Sequence, residues 1–223
     1  MPKKAFLNLP PETQAEILEK AMPLYVDYPY ETVTLQMLLD ALSLHPTIFY
    51  RYFTDKDELY IYANLVLLEK YTAYRRKQNP EYDLNVFVVY EDTEPLTELE
   101  LAFLKTFTKV PQDILLRSYW DVFKPGLFHR YKQALRRYRA EGKLYADIDD
   151  DLISYMYATT MFNMLLFFRE FNIDDPALQM QLKKSFYTGF FRRGIIRGAE
   201  DCVSEASPVS DSIEEDLSSG TSL

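Results

Sequence analysis

Residues 43–59 read SLHPTIFYRYFTDKDEL, and this stretch decides the fold. Pro46 suits the first position of a helix, where its missing backbone N–H leaves no hydrogen bond unmade. Phe49 and Phe53 are four positions apart, so both side chains lie on one face of that helix. Tyr50 projects from the opposite side. The pattern predicts a short helix that is buried through its phenylalanines and exposes a phenol.

The flanking residues predict further helices on both sides. One helix begins after the Pro-Pro pair at 10–11, and a second runs over TLQMLLDAL with Thr34 as its N-cap. The segment SLH is too short for anything but a turn into the aromatic helix. Thr54 and Asp57 form a capping-box-like pair that opens a long helix over roughly 57–77. Three short helices, the last two joined by a tight turn, therefore precede a long one.

The stretch from Ile17 to Leu59 resembles the N-terminal region of the TetR (AcrR-type) family of bacterial transcriptional regulators. Within it, SLHPTIFYRYFTDKDEL looks like the turn, the recognition helix and the start of the next helix of that family. The resemblance implies an all-α fold, in which a three-helix helix-turn-helix DNA-binding domain precedes a larger helical domain for ligand binding and dimerisation. It also implies DNA contacts, mainly to the phosphate backbone, by the following residues: Thr34, Thr47, Tyr50, Tyr52 and Lys56.

The turn before the aromatic helix departs from the family pattern. Ser43 stands where the family usually has glycine, His45 replaces the usual serine cap, and Pro46 replaces a residue that is often basic. His45 and Pro46 complete the set of candidate DNA-binding residues. For His45, a base contact and a capping or solvent-facing side chain are equally compatible with the sequence.

Charge is distributed unevenly along the chain. Its net charge is −9, but the segment from Gly198 to the end carries seven acidic and no basic residues, which leaves −2 for the rest. Residues 200–223 are also rich in serine, and their composition predicts a disordered tail, with a phosphorylated or partner-binding segment as the alternative. Residues 1–60 contain five basic and nine acidic side chains. Affinity for DNA then depends on where charges lie, because the domain is not basic overall.

The region beyond the long helix is predicted to be helical as well. Apolar spacings indicate helices at about 96–109, 111–124, 126–141, 150–171 and 176–197, and hence about nine helices in all. Residues 82–94 are compatible with either a strand-like run or a frayed helix. The acidic segment ADIDDDL at 146–152 suits a helix N-terminus, which the helix dipole favours over the alternative of a calcium site. We divide the chain into domains at 1–56 and 57–199, followed by the tail.

Two sets of apolar residues in the second domain are functional candidates. In LISYMYATTMFNMLLFF, apolar residues surround the helix on nearly every side, so a partner chain must cover one of them. The resemblance implies a homodimer through the last two helices, with the candidates Met164, Phe168, Phe186 and Phe190. It also implies a ligand pocket for a small hydrophobic or aromatic effector, although aromatic residues at these spacings also fit a plain core. Its candidate residues are Tyr119, Trp120, Phe123, Phe128, Tyr157, Met161 and Phe162.

Several classes of protein do not fit the sequence. His45 and His129 are far apart, there is no HExxH motif or nucleophile elbow, and the six glycines form no phosphate-binding loop. Cys202 is the only cysteine, so no internal disulfide is possible. We expect no enzymatic activity and no cofactor. The apolar runs are too short for a membrane span and the first residues do not resemble a secretory signal, which predicts a cytoplasmic protein without a membrane partner.

The best-supported function is that of a DNA-binding transcriptional regulator. The expected form is a dimeric repressor that a small hydrophobic or aromatic molecule releases from its double-stranded DNA operator. The alternative is a helical interaction or adaptor protein that has this architecture but has lost specific DNA binding, because the first domain is acidic and its turn is altered.

Overall fold

The computed structural model describes residues 1–78, 94–120, 124–145, 149–186 and 194. Over these ranges the chain folds into ten α-helices, and a single 3₁₀ turn at Tyr30–Thr32 links the second helix to the third. The α-helices are α1 Lys4–Leu7, α2 Pro11–Asp27, α3 Leu35–Leu42, α4 Pro46–Tyr52, α5 Lys56–Gln78, α6 Glu98–Thr106, α7 Gln112–Ser118, α8 Lys124–Ala140, α9 Asp150–Glu170 and α10 Pro176–Lys184.

One hydrophobic core joins the first helices to α5, α6 and α7. Its centre is aromatic, because the ring of Tyr60 lies 4.8 Å from Tyr25, 5.0 Å from Tyr30 and 5.1 Å from Phe103. The Tyr60 hydroxyl is 2.8 Å from Thr106 Oγ1. Since the Thr106 hydroxyl already donates to the Phe103 carbonyl, Tyr60 must be the donor of that bond. The core of the first helices therefore continues through α5 into α6.

A second unit forms where α8 packs along α9. Tyr131 and Tyr157 meet edge to face between these helices, with ring centroids 4.2 Å apart, and both are fully buried. Gly142 ends α8 in the left-handed region with φ +69°, and the Lys143 N–H reaches back to the Tyr138 carbonyl. Asp149 then caps α9 by accepting a hydrogen bond from the Leu152 N–H at 2.7 Å. This acidic residue serves as a helix cap.

The all-helical prediction is confirmed, and one detail of it is wrong. About nine helices were expected and ten are found in the described ranges, the additional one being α1, whose four residues are too few for a periodic pattern. The cap of α5 is Asp55, because its Oδ1 accepts from the Glu58 N–H, while Glu58 itself accepts from the Thr54 N–H. The predicted pairing of Thr54 with Asp57 is therefore displaced by one residue.

Two of the predicted segments lie wholly or almost wholly outside the residues that the structure describes. The ambiguous segment at 82–94 falls almost wholly, and the acidic tail at 200–223 entirely, outside the described residues. Within the described ranges, no helix combines the length and the apolar composition that crossing a bilayer would require.

Candidate DNA-binding surface

The helix α4 has two sides of opposite character. Phe49 and Phe53 are fully buried, with ring centroids 5.6 Å apart, and they attach the helix to the core. Thr47 is exposed, and the side chain of Tyr50 is 49% exposed. The hydroxyl groups of the predicted contact set therefore lie on a surface that rigid aromatic packing supports from behind.

The start of α4 is capped by a histidine. His45 Nδ1 accepts a hydrogen bond from the Thr47 N–H at 3.3 Å and lies 3.1 Å from Thr47 Oγ1. Pro46 occupies the first helical position, as predicted, and both residues are exposed. The structure thus gives His45 a capping role while leaving its imidazole at the surface.

The turn between α3 and α4 is formed without glycine. Ser43 ends α3 in the left-handed region with φ +52°, and the Leu44 N–H bonds back to the Leu39 carbonyl at 3.0 Å. This bond closes a Schellman motif, in which a left-handed residue lets the chain satisfy the last carbonyls of the helix. At the other end of α3, the exposed Thr34 accepts from the Met37 N–H at 3.2 Å, as its predicted role as N-cap requires.

The C-terminal end of α4 is held by a segment that the sequence analysis missed. The Lys3 N–H donates to the Tyr52 carbonyl at 2.9 Å, and Lys3 Nζ donates to the Tyr50 carbonyl at 2.7 Å. Phe6 of α1 is fully buried, with its ring 4.7 Å from Phe53 and edge-on to Tyr52 at 5.9 Å. Tyr52 is accordingly only half-exposed. In the sequence, only Phe6 before the proline pair indicated this contact, and one apolar residue is too little to predict a helix.

The lysine at the start of α5 points partly inward. Lys56 Nζ donates to the carbonyls of Tyr30 at 3.1 Å and Val33 at 2.6 Å, and it lies 4.8 Å from the centroid of the Tyr30 ring. Tyr25 donates in turn to the Lys56 carbonyl at 3.2 Å. An ammonium group has three donors, so these bonds leave one N–H for a further acceptor. Lys56 therefore ties the loop before α3 to the beginning of α5.

The comparisons agree with this geometry. Residues 17–63 match the family described as bacterial regulatory proteins, tetR family. The N-terminal domain is a TetR-family domain. The match runs from α2 through the turn and α4 into the first part of α5, and so covers the whole candidate surface apart from α1. No curated protein sequence matches the chain.

Solved structures of a repressor and of a TetR regulator share the overall fold. SmeT, the repressor of the Stenotrophomonas maltophilia multidrug efflux pump SmeDEF, is 17% identical, with 87% of this chain and 94% of SmeT covered and a TM-score of 0.53. In a SmeT–triclosan complex the identity is 16%, with 93% of this chain and 100% of the SmeT chain covered and a TM-score of 0.54. TylP, a TetR regulator from Streptomyces fradiae, is 14% identical, with 86% of this chain and 82% of TylP covered and a TM-score of 0.51. At these identities the likeness establishes the fold.

The candidate pocket residues downstream of this TetR-family domain fall into separate groups. Tyr119 and Phe162 stack with their centroids 4.8 Å apart, and Tyr157 pairs with Tyr131. Trp120 lies beside Tyr119 and is 46% exposed. Phe128 is half-buried under Lys132 Nζ, 5.9 Å from the ring centroid. Phe123 and the side chain of Met161 lie outside the described residues.

The hydroxyl of Tyr119 has an unusual environment. Its residue is only 4% exposed, yet within the described part of the chain the oxygen has no hydrogen-bond partner. Burial raises the pKa of this phenol to about 12, with a smaller contribution from Tyr155. A buried donor without a partner is costly, which makes it a place where a ligand atom could contribute a hydrogen bond.

The candidate dimer residues differ in exposure. Met164 and Phe186 are half-buried, whereas Phe168 is 3% exposed and packs below Lys183 Nζ, 5.4 Å from the centroid of its ring. Phe190 lies outside the described residues. Among the described side chains of α9, the exposed large apolar ones are Leu152, Tyr155, Met156 and Phe167, and Phe171 follows them at the helix end. Sequence periodicity indicated an excess of apolar residues on α9 but not which of them its own subunit covers.

Proposed function

We propose that this chain is a transcriptional regulator that binds operator DNA as a homodimer and that a small hydrophobic or aromatic effector releases it. The observation that carries the proposal is α4, which is anchored by Phe49 and Phe53 and presents Thr47 and Tyr50 outward at the end of a tight turn. Hydroxyl groups and helix N-termini on such an element suit the phosphates that flank a major groove.

Dimerisation is supported by the exposed side of α9. Leu152 is 58% exposed and Met156 48%, and Phe171 at the end of the helix is 62% exposed. These residues leave uncovered apolar side chains towards both ends of a helix that packs on α8 along another side. A second copy of the chain, related by a two-fold axis, would cover these side chains in both subunits at once. Such symmetry also suits two recognition helices spaced about 34 Å apart along DNA.

Release by an effector is supported by the stack of Tyr119 on Phe162 and by the unpartnered Tyr119 hydroxyl in the described part of the chain. Aromatic faces beside one polar atom suit a flat, largely apolar molecule that carries a hydrogen-bond acceptor. SmeT, which has the same fold, forms a complex with triclosan. An effector of this kind would lower DNA affinity if it bound the free protein more tightly than the DNA complex.

Fluorescence anisotropy with labelled DNA from upstream of the chain's own gene tests the proposal. The unmodified protein should bind this DNA more tightly than a scrambled duplex, and Tyr50→Phe should weaken binding of both by about fivefold through loss of one hydrogen bond. Tyr28→Phe is the matched control, because Tyr28 belongs to the same domain and is 48% exposed, nearly as much as Tyr50. It should bind like the unmodified protein.

The same titration separates the regulator from the adaptor. The net charge of −4 over residues 1–60 is the observation that favours an adaptor. If a folded dimer shows no preference for the upstream DNA at low salt, the regulator proposal is wrong. Equal losses in Tyr50→Phe and Tyr28→Phe would show that α4 is not the contact element.

A further inference from the structure

One arginine of α7 reaches the DNA-binding domain. Arg117 Nη1 donates to Asp55 Oδ2 at 3.0 Å and lies 3.6 Å from Asp57 Oδ2. Arg117 and Asp55 are 62 residues apart in the sequence. The side chains of Arg117, Asp55 and Asp57 are between one-quarter and two-fifths exposed. The raised pKa of Arg117 reflects these carboxylates, which outweigh a lowering by burial. A single guanidinium therefore connects α7 to the residues that join α4 and α5.

Asp55 and Asp57 occupy a sensitive place. Asp55 is two residues beyond Phe53, the last anchor of the recognition helix, and its other oxygen caps α5 through the Glu58 N–H. Asp57 accepts a hydrogen bond from the Tyr30 hydroxyl. The two acids flank Lys56, whose ammonium group is bonded to carbonyls of the first domain. Two carboxylates beside the candidate contact surface would repel a DNA backbone unless a positive charge offset them.

The other end of the bridge is fixed by the second domain. In α7, the residues Ile114 and Leu115 before Arg117 and Ser118 after it are buried, which anchors the helix. Tyr119 follows immediately and stacks on Phe162 of α9. Arg117 lies only two residues before Tyr119, so a shift of α7 as a whole would move both residues together. Arg117 stands between the aromatic stack and the junction of α4 with α5.

We propose that Arg117 is a positioning residue: it holds the α4–α5 junction and neutralises Asp55 and Asp57, so that the position of α7 sets the affinity of α4 for DNA. The second half of this inference rests on the proposed DNA-binding function, whereas the first half does not. Ionic contacts of this exposure have modest energies, so the expected effects are graded and salt-dependent.

The positioning role is tested without DNA by amide hydrogen exchange. In Arg117→Met, peptides covering residues 53–60 should exchange about two- to fivefold faster, because the junction opens locally more often. Arg136→Met removes the same charge from an exposed position on α8 and should leave these peptides unchanged. Arg117→Lys should recover part of the protection. Equal exchange in Arg117→Met and the unmodified protein would overturn the inference, whether or not the protein binds DNA.

The charge-offsetting role is tested by a mutant cycle on DNA affinity. Arg117→Met should weaken binding about fivefold at low salt and less at high salt, while Arg136→Met should change it by less than about twofold. In the background of Asp55→Asn with Asp57→Asn, where asparagine keeps the capping and acceptor oxygens, Arg117→Met should have no further effect.

The outcomes of this cycle are distinct. Loss of affinity that is equal in both backgrounds would mean that Arg117 contacts a phosphate directly, and the inference would be wrong. If the unmodified protein binds no DNA, the proposed function fails, and the exchange experiment alone then decides whether Arg117 holds the junction. Circular dichroism on each variant identifies any that is simply unfolded.

Discussion

The helices α4 and α9 both bury one side and expose the other, and their exposed sides differ in chemistry. Outward on α4 lie Thr47 and Tyr50, which carry hydroxyl groups. Outward on α9 the most exposed apolar side chains are Leu152 and Met156, with Tyr155 and Asn163 also exposed, and Phe171 stands at its end, so this side is more apolar but not free of polar groups. A surface of the first kind suits a hydrated, charged partner, and one of the second kind suits an apolar protein face. The contrast separates the two proposed interfaces within one chain.

The largest expected effect concerns the buried side of α4. Phe49→Ala should lower the free energy of unfolding by about 3–5 kcal/mol, because a fully buried ring leaves a cavity among Phe53 and the neighbouring leucines. Tyr50→Ala, on the exposed side of the same helix, should lower it by only about 1 kcal/mol, through loss of the edge contact between its ring and that of Phe49 at 5.7 Å. Urea denaturation measures both. Similar losses in the two variants would contradict the two-sided description of α4.

A charge on the exposed side of α9 should separate the subunits. Met156→Glu places a carboxylate in each copy of the proposed apolar interface, and we expect dimer affinity to fall by about 100-fold or more. Val26→Glu is the control, since Val26 is an exposed apolar residue of α2, in the first domain. Sedimentation velocity at micromolar concentration compares them. A stable dimer of Met156→Glu, or a monomeric unmodified protein, would exclude α9 as the interface.

Local signals predicted the first domain well because each of its elements has its own. Thr34, Pro46 and the spacing of Phe49 and Phe53 set the bounds of α3 and α4, and all occupy the predicted positions. The second domain lacks such signals. Its aromatics are frequent enough to suit several packings, so sequence could not predict that Trp120 is exposed or that Phe168 is buried in its own subunit.

Contacts between distant segments were also beyond sequence reasoning. The bond from Arg117 to Asp55 and the docking of Phe6 on Phe53 depend on how helices are placed in space. No periodic pattern in the sequence indicates either contact. Lys56 illustrates the same limit, because its position at a helix start was predicted while its bonds to Tyr30 and Val33 were not.

Two buried phenols, Tyr60 of α5 and Tyr119 at the end of α7, provide a further comparison. Burial raises the pKa of Tyr60 to about 12, and burial likewise raises the pKa of Tyr119 to about 12. Because the folded pKa exceeds the unfolded value of about 10, their stabilisation is fully present below pH 10 and is lost as the pH rises through 12. Replacing either phenol by phenylalanine should therefore make the protein more resistant to alkaline unfolding.

At neutral pH the same two substitutions should differ. Tyr60→Phe removes the hydrogen bond to Thr106 and should cost about 1 kcal/mol. Tyr119→Phe removes a hydroxyl that has no partner among the described residues and should be neutral or slightly stabilising. Thermal unfolding at pH 7 and pH 11 measures both effects. A loss at pH 7 in Tyr119→Phe as large as in Tyr60→Phe would show that its hydroxyl has a partner after all.

The smallest expected effect concerns the ends of α3 and α8, which have the same geometry but different residues. Ser43 and Gly142 both adopt positive φ, and the following N–H of each bonds to a carbonyl five residues earlier. A residue with a Cβ is strained in this region by about 1–2 kcal/mol, whereas glycine is not. Ser43→Gly relieves that strain but gives the unfolded chain more freedom, which offsets about 0.4–1 kcal/mol of the gain.

The expected net result for Ser43→Gly is a stabilisation of about 0.5 kcal/mol, or a rise in Tm of about 1–2 °C for a chain of this size. Gly142→Ala is the converse change, and it should destabilise by about 1 kcal/mol from backbone strain, because no atom of the described residues lies within 4 Å of the added Cβ. Calorimetry of the two variants compares the turns directly. If Ser43→Gly lowers Tm, the serine must contribute an interaction that outweighs its strain, and the departure from glycine at this turn would have a functional or structural cause of its own.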